Sequence, residues 1–233
     1  MSDVKRVSKR TQKAQETRRR ILKAAGELFV RDGYGVTNLQ DVAELAGVAV
    51  QTIYFVFGNK RTLLKELVDV TIAGDDEPLA TMDRPWFAAA MATPSAAEHL
   101  RAHVRGTSAV LARVAPITKV LDAAVAMDPE VAASWPQDVD PRYVVQRAAA
   151  EALMAKPGAR PGVSPEAAAD VLYGLLGPEL YLLLVEKRAW SPERWQEWAH
   201  RTLAAQLLDP RSGDVEAGGV LPAGQGEEAA DHG

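Results

Sequence analysis

The chain has 233 residues, 47% of them hydrophobic and 25% charged, with no cysteine and a formal net charge of −4. These proportions exclude collagen-like, disordered and disulfide-scaffold classes and leave enough chain to bury one large core or two modest ones. The lack of cysteine removes disulfides, thiolate metal sites and cysteine nucleophiles together, which fits a reducing, cytoplasmic setting. No run of 18 uninterrupted apolar residues occurs. The best one, 171–185, is broken by Gly174, Gly177, Pro178 and Glu179, so no membrane span is expected.

The total charge hides an asymmetry. Residues 1–20 hold eight bases and two acids; residues 1–65 carry +7, and the remainder carries −11. This division favours a basic module that touches polyanions, joined to an acidic body, over a solvated basic tail with no partner.

Residues 1–13 read as a basic flexible arm. From about 13 to 32, Ile21, Leu22, Ala25, Leu28 and Phe29 recur with the period of an amphipathic helix, stopped by Asp32-Gly33-Tyr34-Gly35. Thr37 stands three residues before Gln40, a capping-box spacing that starts a second helix through Leu39, Val42 and Ala43. Ala46-Gly47-Val48 is a tight break before a third helix over about 50–57, and Asn59 caps a fourth over 60–72. After a turn-rich linker at 74–85, helices are expected near 86–92, 95–114, 117–134 (continuous or broken at Asp128-Pro129), 141–155, 165–188 and 192–208. Ser164-Pro165-Glu166 and Ser191-Pro192-Glu193 mark two of the starts with an N-cap, a first-turn proline and an early acid. Pro178 should kink the 165–188 helix near Gly174, a possible hinge or a plain packing bend. No alternating apolar run or hairpin signal appears, so the fold class is all-α. Residues 209–233, rich in Gly, Pro, Glu and Asp, are expected to be a disordered acidic tail.

Residues 37–57 have the pattern of a helix–turn–helix: a short apolar-faced helix, a glycine in the turn, and a second short helix. Gly47 suits a reversal that needs positive φ, Ala43 suits a close helix crossing, and Val48 and Ile53 point inward. A recognition helix presents its N-terminal side chains to base edges in the major groove. Gln51 can bond an adenine edge and Val50 can pack on a thymine methyl, while Thr52 and Tyr54 are phosphate donors. Lys60 and Arg61 sit in the first turn of a helix, where the dipole disfavours cations unless an anion docks there.

Residues 17–70 resemble the DNA-binding domain of the TetR family of transcriptional regulators. The resemblance is carried by Arg20-Ile-Leu-Lys-Ala-Ala-Gly-Glu-Leu-Phe29, Gly33-Tyr34, Thr37, Asp41-Val-Ala-Glu-Leu-Ala-Gly-Val48, Thr52-Ile-Tyr54, Phe57 and Lys60 with Leu63-Leu64. It implies an N-terminal three-helix head at 14–72, its last helix a connecting lever, and an effector-binding and dimerisation domain at 73–208. It also implies homodimers on double-stranded, near-palindromic operators, with Tyr54 and Lys60 on phosphates and Thr37, Ala49 and Arg19 beside them. Ala49 departs from the serine or threonine that commonly opens the family's recognition helix, removing a cap worth about 1 kcal/mol. Asp128–Trp135, Ala168–Tyr173, Pro178–Tyr181 and Trp190–Arg194 are similar to a subgroup whose last two helices form the dimer interface.

The second domain, by the same resemblance, encloses a pocket for a small apolar or amphipathic effector. Trp86, Phe87, His103, Arg113, Met127, Trp135, Arg147, Tyr173 and Tyr181 are candidates to line it, as is Gln146; plain core packing is the alternative for the large ones. His99 and His103 face the same way on a helix, but with no third ligand they read as surface or pocket residues, and no metal or cofactor is expected. Gly224 and Gly226 lack the strand and lysine of a phosphate loop, and Ser108 and Ser134 belong to no catalytic motif. The reading is a ligand-responsive repressor rather than an enzyme. Its rivals are an effector-independent architectural DNA-binding protein and an all-α enzyme that merely carries a helix–turn–helix.

Overall fold

A computed structural model describes residues 9–75, 80–134 and 140–213, and among these it is helical, without a strand. Trp135 and the tail beyond 213 lie outside the described residues, as do residues 1–8. The head is built from α1 (Lys9–Asp32), α2 (Leu39–Ala46), α3 (Val50–Phe57) and α4 (Lys60–Ala73). The body follows with α5 (Pro85–Met91), α6 (Ala96–Met127), α7 (Pro129–Ala132), α8 (Pro141–Met154), α9 (Pro165–Leu175), α10 (Pro178–Tyr181) and α11 (Pro192–Leu207). A π-helical segment, Leu182–Lys187, continues α10, and short 3-10 turns lie at Thr81–Asp83 and Pro210–Gly213.

Three boundaries differ from the sequence reading. Helix α1 starts at Lys9, inside the expected arm, because nothing between Lys9 and Gly26 breaks a helix even where no apolar stripe marks one. Pro116 does not end a helix: α6 runs through it for 32 residues. The lost hydrogen bond is offset by burial on both sides, of Leu111 and Ala115 before it and Ile117 and Val120 after. A break does fall at Asp128-Pro129, where the sequence offers one: the Asp128 carboxylate accepts from the Glu130 amide and caps α7. In the expected 165–188 helix, Pro178 does not kink a continuous rod. Leu176 and Gly177 leave helical geometry, and Pro178 opens α10 at its first position, where its missing N–H costs nothing. The serines of the two Ser-Pro-Glu starts do cap their helices, accepting from the Ala167 and Arg194 amides.

Two clusters of buried side chains form. One joins Ile21, Phe29, Val42, Ile53, Phe57, Leu63 and Leu64 of the head to Ile117, Val120 and Ala124 of α6. The other joins Leu100, Val104 and Leu111 of α6 to Leu153, Leu172, Leu176, Trp195 and Leu203. Helix α6 belongs to both, and Pro116 sits at the seam. At its lower end Asp128 and Glu130 hold the Arg61 guanidinium, 2.6 Å from Asp128. Farther up, Arg113 reaches back to the carbonyls of Thr71 and Ile72 at the end of α4, 3.4 Å from each. The segment Pro165–Lys187 is by length and composition apolar enough to cross a membrane. It is interrupted at Leu176-Gly177, and Ala168, Leu172 and Tyr181 are buried in the second cluster.

His99 and His103 are both buried on α6, with rings stacked 6.2 Å apart. His103 Nε2 donates to Gln146 Oε1 at 2.8 Å. His99 leans toward the carbonyls of Ala90 and Ala149 without closing a hydrogen bond of normal geometry. Burial, with His103 and Lys156 nearby, lowers the His99 pKa to about 4, and burial lowers that of His103. The unfolded chain, with imidazoles near 6.5, therefore binds protons first as the pH falls. Stability is full above about pH 6.5 and drops by a few kcal/mol on the way to pH 4. Thermal unfolding across that range should show the loss, and His99→Gln should make it shallower; an unchanged slope in the variant would contradict the assignment.

Candidate nucleic-acid interface and ligand cavity

The turn between α2 and α3 is set by local chemistry. Asn38, not Thr37, is the N-cap of α2: its side chain accepts from the Asp41 amide at 2.9 Å, and the Asp41 carboxylate accepts from the Asn38 amide. Thr37 is buried and gives its hydroxyl to the Gly33 carbonyl at 2.9 Å, so it shapes the preceding loop and offers no surface donor. The capping-box spacing was sound but belonged to the next residue along. Gly47 closes α2 at φ +64, a conformation that penalises any side chain, and Val48 then returns its amide to the Ala43 carbonyl. Ala49 precedes α3 with no side-chain cap.

Ile53 and Phe57, one turn apart, anchor α3 in the head core. Gln51 and Phe55 lie about 160–200° around the helix from Ile53 and so share the outward face. Gln51 is exposed and Phe55 is 92% exposed. Tyr54 is exposed and Thr52 half-buried on the flanks. Val50 departs from expectation: it is half-buried against the head core, so the apolar side chain available to a base is Phe55. The inward period of Ile53 and Phe57 already implied this. Arg19 is exposed on α1.

At the start of α4, Asn59 accepts from the Thr62 amide at 2.9 Å. Lys60 Nζ stands 4.2 Å from the centre of the Tyr34 ring, and partial burial lowers its pKa. An anion at this helix terminus would meet both the ammonium and the open amides. Arg61 is not available in the same way, since Asp128 and Glu130 hold it to the body.

A cavity of about 500 Å³ opens in the body between the end of α4, α6, α8 and the α9–α10 break. Its wall is mainly apolar, including Ile72, Trp86, Val110, Val114 and Val145, with Thr81, Thr107, Arg142 and Gln146 as polar members. Gly106 lets Trp86 lie against α6: a Cβ there would fall 2.0 Å from the indole. Of the residues expected to line a pocket, Trp86 and Gln146 do so. His103 stands one layer behind, bonded to Gln146, and Phe87 is buried against Trp86 and His103.

The other expected lining residues are placed elsewhere. Tyr181 packs edge-on to Trp195 and lines a separate, more open cavity beside Pro116. Tyr173 packs on Tyr143 and donates to Asp140. Arg147 is exposed and pairs with Glu151, and Arg113 braces α4. Met127 is 65% exposed at the foot of α6 beside Gly35. Thr107, Arg142 and the aliphatic wall were missed because short apolar or β-branched side chains at helical spacing look the same around a cavity as in a filled core.

Residues 21–67 match the family model described as bacterial regulatory proteins, tetR family. The transcriptional regulator TtgR of Pseudomonas putida is 44% identical over 63 residues, which is 27% of this chain and 30% of that protein. The chain thus matches less than a third of that curated relative's length. Over most of the chain the fold is shared with solved structures. A transcriptional regulator from Aquifex aeolicus superposes with a TM-score of 0.59 at 19% identity, covering 81% of this chain and 98% of that one. NalD of Pseudomonas aeruginosa, a secondary repressor of an efflux pump, gives 0.54 at 20% identity, covering 85% and 98%. Over residues 21–67, then, the chain is similar to the bacterial regulatory proteins of the tetR family.

Proposed function

We propose that this protein is a cytoplasmic, ligand-responsive transcriptional repressor that binds a palindromic operator as a homodimer and is released by a small apolar or amphipathic molecule. The observation that carries this is one continuous path. Helix α3 presents Gln51, Tyr54 and Phe55 outward, α4 follows it directly, and Ile72 at the far end of α4 is part of the cavity wall. A ligand that favours one position of Ile72 therefore biases the position of the head. To matter, it must prefer the released state by about 1–3 kcal/mol.

Pairing is supported by the C-terminal helices. Within one chain only 39% of the most apolar window of Pro165–Lys187 is buried, and Leu183 is 47% exposed. A second copy would cover this surface as a four-helix bundle and set two recognition helices about one DNA turn apart. On DNA, Gln51 would read an adenine edge, Phe55 a thymine methyl, and Tyr54 and Lys60 would hold phosphates. An effector-independent DNA-binding role would leave the cavity without purpose, and the wall built around Gly106 and Trp86 favours the responsive reading.

Selection of bound duplexes from a random pool should return a palindrome. Gln51→Ala should then relax preference at one position of each half-site by about 1–3 kcal/mol. Lys60→Ala should weaken all sequences alike and lower the salt slope by about one. Equal losses of specific and nonspecific binding in both variants would sink these roles. Gly106→Ala, which drives Trp86 into the cavity, should blunt release by any effector while operator binding persists; full release in that variant would place the ligand elsewhere.

A further inference from the structure

Each polar side chain of the cavity wall, from Thr81, Thr107, Arg142 and Gln146, can donate a hydrogen bond. Gln146 is 2% exposed and its Oε1 is taken by His103 Nε2, so the amide N–H groups are what it has left to offer. Thr107, also buried, adds a hydroxyl with no partner in the described residues. Arg142 contributes a buried Nη1 that faces Glu179 at 3.5 Å as an ion pair without closing a hydrogen bond. Donors outnumber acceptors here, with the threonine hydroxyls able to act as either, and this favours a ligand that brings an acceptor, since each buried donor left unpaired costs free energy.

Charge narrows the class further. The Arg142 guanidinium already lies over the Tyr173 ring at 4.0 Å, with Glu179 at 3.5 Å and Asp140 at 4.0 Å. One cation between two carboxylates gives this end of the cavity no surplus positive charge for an anion. A cation would meet two carboxylates already engaged by Arg142 and, beyond them, the donors of Gln146 and Thr107. The His103–Gln146 bond holds the amide in place, and behind it His99 and His103 form a neutral, buried backing.

We infer that the cavity selects an uncharged, mostly apolar molecule bearing a carbonyl-type acceptor, a ketone or an ester, read by Gln146 and Thr107. This rests on the effector reading above and assigns its ligand class. Against charged analogues the site pays desolvation it does not recover. The acceptor itself should be worth about tenfold over a hydrocarbon of equal size.

The test uses the full-length protein and displacement of the neutral fluorophore N-phenyl-1-naphthylamine. Competitors are methyl decanoate, decanoate, decyltrimethylammonium and the size-matched alkene 1-tridecene. Methyl decanoate should compete at about one-tenth the concentration of either charged analogue or of the alkene. In Gln146→Leu, and separately in Thr107→Val in case the first does not fold, the ester-to-alkene preference should fall toward parity. Decanoate competing as well as the ester, or an undiminished ester preference in both variants, overturns the proposal while leaving an effector site intact. No saturable displacement by any competitor overturns the effector reading and the proposal with it.

Discussion

One helix belongs to two cores, and the rest of the molecule is arranged around that fact. The upper half of α6 gives Leu100, Val104 and Leu111 to the body, and the lower half gives Ile117, Val120 and Ala124 to the head. A rigid element shared this way cannot shift in one core without disturbing the other, because close-packed interiors yield in steps rather than smoothly. Pro116, at the seam, is where the backbone ladder of that element is weakest. The polar ties follow the same logic. Arg61 fastens the beginning of α4 to the foot of α6, and Arg113 fastens its end higher up. Helix α4 thus lies braced along α6 at both ends, between the surface that faces outward and the chamber that faces inward.

Much of the head could be read from the sequence because its signals are local. Gly47 marks a positive-φ turn, Asn59 caps α4 as its position suggested, and Ile53 with Phe57 declares the buried face of α3. The errors there were small and instructive. Threonine at 37 and asparagine at 38 are both good caps, and only burial of the first decides between them. Val50 was placed outward by its position near the helix start, whereas its angle from Ile53 turns it toward the core.

The body was less legible because its decisive features are set by distant partners. Proline predicts a break in α6, yet burial on both flanks carries the helix through. Large aromatic residues suggest a pocket, yet Phe87 is packed in the core, Tyr181 borders a different cavity, and the wall of this one is mostly small aliphatic side chains and a glycine-backed tryptophan. Nothing in the spacing of His103 and Gln146, 43 residues apart on different helices, foretells their bond.

The uncapped start of α3 has a wider meaning. With alanine at 49, the helix owes little to its own end and nearly everything to Ile53 and Phe57 pressed against the head core. Side chains on the outward face, Gln51 and Phe55 among them, contribute little to keeping the helix folded. They are therefore free to change during divergence without a compensating repair elsewhere. If these side chains read DNA as proposed, a few surface replacements would change the target and leave the architecture untouched.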